Sequence, residues 1–167
     1  DGKQFVFSAI SSGRPVLVLY DVNRGKRTRE IKFDDLGQVL NPSWSPDGHS
    51  IAFSGLSGGL TDLYVYDLDA GRSPRLTNDQ FADLQPAWSP DGRTIAFATD
   101  RFTTELKTLR LGAPALAFID VATGRISRWR RSSSSPRSSR GRTPQANSTA
   151  PCACRLSSSG RMTDKPK

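Results

Sequence analysis

Two nearly identical segments of thirteen residues constrain the fold of this chain more than any other feature. NPSWSPDGHSIAF covers residues 41–53, and QPAWSPDGRTIAF covers residues 85–97. In each copy a proline fixes φ for the first central position of a type I turn, and an aspartate and a glycine follow. The alternating apolar residues after the glycine are typical of a half-buried strand. Each copy therefore predicts a tight hairpin, with turn and anchor residues Trp44, Pro46, Asp47 and Gly48, and Trp88, Pro90, Asp91 and Gly92.

A second block follows each hairpin and ends in another turn. It reads PVLVLYDVNRGK, TDLYVYDLDAGR and PALAFIDVATGR, and the chain itself opens with DGKQFVFSAI, a third copy of the first block from its aspartate onward. Each block is an alternating strand that ends at an aspartate, with a glycine four positions later: Asp21, Asp67 and Asp120. We expect these aspartates to cap the turns. Binding of Ca²⁺ is the alternative, but recurrence in every unit favours a structural role.

The spacing of the units predicts a repeat of four short strands. Asp1 and Asp47 are 46 residues apart, and Asp47 and Asp91 are 44 apart. This is the length of a propeller blade, and the two-residue apolar period argues against a helical repeat. The third unit has nine extra residues within RFTTELKTLRLGA. This insertion is a candidate binding loop through Arg101, Glu105, Lys107 and Arg110, with a plain structural insertion as the alternative.

These residues resemble a known family. WSPDG with IAF, then DLYVYD and RLT, is similar to the WD40-like repeat of TolB-type β-propellers over about residues 1–127. The resemblance implies an all-β fold, a partial propeller of four-stranded antiparallel blades, with blades at about residues 1–40, 41–85 and 86–127. Three blades are too few to close a ring, so we expect further blades or another domain in a longer parent protein.

The resemblance also implies a function. It favours a non-catalytic, protein-binding scaffold in the periplasm or cell envelope of a bacterium, without a cofactor. The alternative is the accessory or gating propeller of a prolyl-oligopeptidase-like or other peptidase. The fold alone does not decide between them, because one fold supports many functions.

The net charge of +8 does not favour a nucleic-acid partner. Residues 1–125 contain 14 Lys and Arg against 15 Asp and Glu, so the excess of positive charge lies in the remainder of the chain. Residues 128–167 are rich in Ser, Arg and Pro, which predicts a disordered basic tail. An interaction tail, a linker and the product of a reading-frame error are three readings of this segment.

Candidate chemical groups in the sequence are few. Gly55–Gly59 matches the G-x-S-x-G pattern around Ser57, but it lies in a Gly-rich segment between two strands, and no histidine follows His49. The pattern therefore predicts a loop and not a nucleophile elbow. Cys152 and Cys154 lack nearby partner ligands for a metal site. Three aspartates outside the repeat pattern are the candidates for surface recognition: Asp62, Asp69 and Asp83.

Overall fold

The computed structural model describes residues 2–130, and every regular element among them is a β-strand. The all-β prediction is confirmed for this part of the chain. The strands are β1 (Gln4–Ser11), β2 (Arg14–Asp21), β3 (Lys26–Lys32), β4 (Gln38–Trp44), β5 (Ser50–Ser57), β6 (Leu60–Asp67), β7 (Asp83–Trp88), β8 (Thr94–Thr99), β9 (Ala115–Asp120) and β10 (Ile126–Arg128).

The strands form three antiparallel sheets that follow the order of the chain. Sheet 1 has the order β1-β2-β3, sheet 2 has β4-β5-β6, and sheet 3 has β7-β8-β9-β10. Consecutive strands pair through short turns, as expected of antiparallel hairpins. The predicted partial propeller is confirmed as the fold class, while the blade boundaries stay a prediction.

The outer edges of sheets 1 and 2 are built differently. In sheet 1, residues 28–32 lie in the regular strand β3, and Phe33 follows its end. In sheet 2, the segment of residues 72–76 pairs with β6 through the isolated bridges Tyr64–Arg75 and Asp67–Arg72. Pro74 lacks an N–H group and contributes its carbonyl to Val65 N at 3.2 Å, which accounts for the broken ladder.

Two apolar cores hold the sheets together. The first joins sheets 1 and 2 and includes Leu17, Val39 and Phe53. The second joins sheets 2 and 3 and includes Leu63 and Phe97. Alternate residues of β5 and β6 face opposite cores, because successive side chains point to opposite sides of a sheet. Sheet 2 is therefore covered on both faces.

A bulge recurs in the first strand of sheets 2 and 3. The register between β4 and β5 shifts between Leu40 and Ser43, where Asn41 has a φ of 50°. The register between β7 and β8 shifts in the same way, and Gln85 has a φ of 55°. Both residues precede a proline and adopt a left-handed conformation that is uncommon outside glycine. The sequence repeat thus reproduces an irregular backbone as well as the regular strands.

Candidate functional site

The serine and aspartate of each WSPDG turn bind each other. Ser45 Oγ donates to Asp47 Oδ1 at 2.5 Å, and the backbone N–H of His49 donates to the same oxygen at 3.0 Å. Ser89 and Asp91 repeat the first contact at 2.6 Å. The serine hydroxyl is the main cause that lowers the pKa of Asp47 and of Asp91, because it stabilises the charged form. These carboxylates are satisfied by their own turns.

The glycines and prolines of these turns fit the backbone that each turn requires. Gly48 and Gly92 have φ values of 77° and 69°, and their N–H groups close the turns on Ser45 O and Ser89 O at 3.0 Å. Pro46 and Pro90 occupy the exposed corners between serine and aspartate.

The second set of repeated aspartates makes equivalent contacts. Arg24 N donates to Asp21 Oδ1 at 2.9 Å, and Ala70 N donates to Asp67 Oδ1 at 2.8 Å. Thr123 donates to Asp120 Oδ1 through both N–H and Oγ1, at 2.8 and 2.7 Å, and its hydroxyl is the main cause that lowers the pKa of that carboxyl. The geometry supports turn capping at these positions. In residues 2–130 no three His, Cys, Asp or Glu side chains gather in a group that suits a metal ion.

The two tryptophans occupy equivalent places but differ in hydrogen bonding. Both are half-buried, with Trp44 packed against the core of sheets 1 and 2 and Trp88 against that of sheets 2 and 3. Trp88 Nε1 donates to Ser43 O in sheet 2 at 3.2 Å. Trp44 Nε1 is buried, and no partner for it is found among the described residues. Trp88 therefore ties two sheets together through a polar contact as well as through packing.

The root of the insertion is held by a buried ion pair. Arg101 Nη2 donates to Asp83 Oδ2 at 2.6 Å, and Arg101 Nη1 lies 3.0 Å from Asp79 Oδ2. The guanidinium also lies 5.7 Å from the ring centroids of both Phe81 and Phe97. Its side chain is 13% exposed, so Arg101 holds the root of the loop in place and is not available to contact a partner.

The body of the insertion is closed by threonine hydroxyls. Thr103 Oγ1 donates to Ala113 O at 2.7 Å, and Thr104 Oγ1 donates to Asp100 Oδ2 at 2.6 Å. Gly112 N donates back to Thr104 Oγ1 at 2.9 Å. A Cβ at Gly112 would lie 2.2 Å from the carbonyl carbon of Thr103, so only glycine fits this crossing. The segment is therefore a closed, hydrogen-bonded loop.

The tip of the insertion exposes apolar side chains between basic ones. Glu105 and Arg110 exchange backbone hydrogen bonds of 2.9 and 3.1 Å, which makes a small hairpin. Leu109 lies in its turn with a φ of 53°. Leu109 and Leu111 are each 83% exposed. Lys107 and Arg110 are exposed beside them, whereas Glu105 Oε2 accepts a hydrogen bond from Thr108 Oγ1 at 3.0 Å. We call residues 105–111 the insertion tip.

The prediction that Asp62 and Asp83 serve surface recognition is wrong for this structure. Both residues have no exposed surface. Asp62 forms an ion pair with Arg75, and Thr77 Oγ1 donates to Asp62 Oδ1 at 3.2 Å. Burial raises the pKa of Asp83 above its usual range, partly offset by hydrogen bonds with Thr99 and Arg101. Asp69 is exposed, and its Oδ2 lies 2.9 Å from His49 Nδ1.

The G-x-S-x-G match lies in a β-hairpin. Ser57 ends β5, Gly58 and Gly59 form the turn, and β6 begins at Leu60. A nucleophile elbow requires a strand followed by a helix, and residues 2–130 contain no helix. Ser57 Oγ donates to Asp35 O at 3.4 Å, which is a surface contact. Of the predicted basic tail of residues 128–167, Arg128 ends β10, whereas residues 131–167, with Cys152 and Cys154, lie outside the described residues.

Comparisons with known proteins agree with this architecture. The family model of the TolB beta propeller domain matches residues 1–136. The structure is similar to TolB from Acinetobacter baumannii, with 28% identity and a TM-score of 0.60, over 77% of this chain and 29% of that one. It is also similar to putative TolB from Agrobacterium tumefaciens, with 26% identity and a TM-score of 0.65, over 79% of this chain and 44% of that one.

A third similarity leads to an enzyme. A puromycin hydrolase matches at 25% identity with a TM-score of 0.54, over 71% of this chain and 19% of that one.

No curated protein sequence matches the chain significantly. Among the described residues, none form a helix of the length and apolarity needed to cross a membrane. The chain spans less than half the length of these relatives, and the match over residues 1–136 shows that it belongs to the TolB beta propeller domain family.

Proposed function

We propose that this chain is a non-catalytic protein-binding module and that the insertion tip is part of its binding surface. The observation that carries the proposal is the 83% exposure of both Leu109 and Leu111 on a loop whose root is buried. Exposed apolar side chains on an ordered loop are typical of protein-interaction sites.

The charge of the tip indicates the kind of partner. Lys107 and Arg110 are exposed and outnumber the single carboxylate of Glu105, which accepts a hydrogen bond from Thr108. An apolar groove with acidic side chains at its rim would bury the leucines and pair with the two cations. The conformation of the tip supports binding too, because a hydrogen-bonded loop loses less entropy on association than a free one.

The setting that we propose is the periplasm or cell envelope. Similarity to two TolB proteins supports this, since the chain shares their repeat and their fold. Fractionation of the source cell tests the location directly. Recovery of the protein in the cytoplasmic fraction would contradict it.

Site-specific photo-crosslinking tests the binding surface. A crosslinking amino acid at Leu109 is expected to capture a discrete protein in the source cell, and the same group at Leu60 is not. Leu60 is the matched control, because it is a partly exposed leucine at the start of β6. Added wild-type protein without the crosslinking group should compete for the same partner and reduce the crosslink. Added protein that carries both Leu109→Arg and Leu111→Arg should not compete. Equal capture at both positions would contradict the proposal.

A second candidate function rests on the similarity to a puromycin hydrolase. In this alternative the repeats form the accessory propeller of a peptidase, and the insertion tip contacts a hydrolase domain of the same protein. The complete open reading frame distinguishes the two. A hydrolase domain with Ser, Asp and His in catalytic order in the same frame would favour the enzyme.

A further inference from the structure

A cavity of about 460 Å³ lies where the connection from β3 to β4 meets sheet 2. This volume is within the range that is usual for small-molecule sites. The lining comes from the end of β3, from the connection and from sheet 2, and it includes Lys32, Phe33, Asp35, Leu36, Tyr64 and Ser73. Both walls of the cavity therefore belong to the described part of the chain.

Tyr64 contributes a nearly buried side chain to this cavity. It is 9% exposed, and its ring stacks on Phe53 with centroids 5.5 Å apart. A Cβ at Gly55 would lie 2.7 Å from Tyr64 Cε2, so the ring needs a glycine at that place. The hydroxyl makes no hydrogen bond within residues 2–130, and burial is the main cause that raises its pKa, so it stays protonated. A buried hydroxyl without a partner is available to a ligand.

The repeat does not account for Tyr64. Strand pairing places it at the position of Val18 in sheet 1 and of Ala117 in sheet 3. Both counterparts are apolar and have no exposed surface, as expected of residues that build a sheet. The phenol at this position therefore indicates a role that belongs to sheet 2 alone.

Two side chains of opposite charge line the cavity without an ion pair. Lys32 and the carboxylate of Asp35 are exposed, and neither forms an ion pair within residues 2–130. The other charged groups near the cavity are paired with each other: Asp34 with Arg14 at 2.5 Å, and Asp62 with Arg75. A ligand that complements the cavity therefore carries one positive and one negative group.

We propose that this cavity binds a small zwitterion, an α-amino acid with an apolar side chain. Asp35 accepts hydrogen bonds from the α-ammonium group, and the Lys32 ammonium pairs with the α-carboxylate. The Tyr64 hydroxyl donates to the same carboxylate, and Phe33 and Leu36 contact the side chain of the ligand. The cavity shares no residue with the insertion tip, so this site goes beyond the proposed function and does not depend on it.

Calorimetric titration of the full chain with three ligands tests the class of the ligand. Free leucine carries both charges, leucinamide carries only the ammonium, and N-acetylleucine carries only the carboxylate. We expect saturable binding of leucine at millimolar concentration, and binding of each analogue that is about tenfold weaker, because each lacks one charged contact. Absence of saturable leucine binding would overturn the proposal, and so would equal binding of leucine and either analogue.

Four variants place the ligand in the cavity. Asp35→Asn should weaken leucine binding about tenfold and leave that of N-acetylleucine unchanged, whereas Lys32→Met should weaken leucine binding and leave that of leucinamide unchanged. Tyr64→Phe keeps the ring and should weaken leucine binding without a loss of stability in urea. Lys26→Met, at the other end of β3, is the matched control and should bind leucine as the wild type does. If Asp35→Asn binds leucine as tightly as the wild type, the proposal is wrong.

Discussion

Arg101 donates a hydrogen bond of 2.6 Å to the carboxylate of Asp83, which is completely buried between sheets 2 and 3. The pairing of β7 with β8 brings Asp83 opposite Thr99, and the same positions in sheet 2 hold Val39 and Gly55. The core between sheets 1 and 2 is thus apolar at this level. The core between sheets 2 and 3 contains an ion pair there, and that ion pair holds the root of the insertion.

Removal of the Arg101 guanidinium should destabilise the folded protein. Arg101→Met leaves the Asp83 carboxylate buried without its cation, and we expect the free energy of unfolding to fall by about 3–5 kcal/mol. Urea denaturation followed by circular dichroism measures the change. Arg110→Met on the exposed tip is the matched control and should have almost no effect. If the two variants are equally stable, the ion pair does not hold the root.

An apolar replacement of the whole pair should recover much of that loss. The double variant Asp83→Val with Arg101→Met copies the valine of sheet 2 and leaves no unpaired charge in the core, because only the partly exposed Asp79 loses its cation. We expect it to be more stable than Arg101→Met alone, with a coupling of about 0.5–3 kcal/mol in a double-mutant cycle. Additive effects of the two changes would contradict a direct interaction.

Asp83 should make stability fall as the pH rises. Burial raises its pKa in the folded state above the usual 3.8, so the folded state keeps a proton that the unfolded state has lost. The contribution of Asp83 therefore declines between pH 3.8 and the raised value, and stays low above it. The free energy of unfolding of the wild type, minus that of Asp83→Asn, should become smaller as the pH rises from about 3 to 7. A flat difference would argue against a raised pKa.

Asp47 should show the opposite sign. Its pKa in the folded state is lowered below 3.8, mainly by the Ser45 hydroxyl. Its contribution to stability is complete above pH 3.8 and is lost as the pH falls through the lowered value. Asp47→Asn should therefore lose stability relative to wild type at neutral pH and lose less in acid. The same titration by denaturation serves for both variants, and a common sign for Asp47 and Asp83 would contradict these environments.

The two tryptophans should differ in what their indole nitrogens contribute. Truncation of either to alanine should cost at most about 3–5 kcal/mol, the value for a fully buried aromatic side chain, because both are half-buried. Trp88→Phe also removes the hydrogen bond to Ser43 O, which contributes about 0.5–1.5 kcal/mol. Trp44→Phe removes an N–H group that lacks a partner among the described residues, so it should cost less. Chemical denaturation decides, and a larger loss for Trp44→Phe would contradict the assigned contacts.

Ser45 and Ser57 should contribute differently to stability, because Ser45 makes short hydrogen bonds within its turn and Ser57 makes one long surface contact. Ser57→Ala removes a weak surface contact of 3.4 Å and should leave stability unchanged. Ser45→Ala removes the acceptor of Ser50 N and the donor to Asp47, so it should cost about 1–3 kcal/mol. Thermal unfolding of both variants is sufficient. A marked loss at Ser57 would point to a role that the hairpin geometry does not show.

The strands and turns were accessible from the sequence because their causes are local. Proline, aspartate and glycine at fixed spacing determine a turn, and the alternation of apolar residues determines which face is buried. The bulges at Asn41 and Gln85 were not predicted. The left-handed residue in each bulge is not a glycine, so the residue type gives no sign of its conformation.

The chemistry of the candidate site depended on contacts between distant residues. Asp83 and Arg101 are 18 positions apart and meet through the pairing of β7 with β8, so Asp83 was assigned to the surface and Arg101 to an exposed loop. Alignment of the units by strand register would have shown an aspartate in the place of Val39, and a buried position there. The apolar character of the insertion tip was visible in its three leucines, but their exposure required the hairpin between Glu105 and Arg110.

The most direct test concerns the stacking of successive repeat units. Trp88 Nε1 lies 3.2 Å from Ser43 O across the boundary of sheets 2 and 3. In an NMR spectrum of the full chain, we predict a nuclear Overhauser effect between the indole N–H of Trp88 and the Hα of Ser43. Interstrand effects within each sheet, without that contact between sheets, would contradict the account.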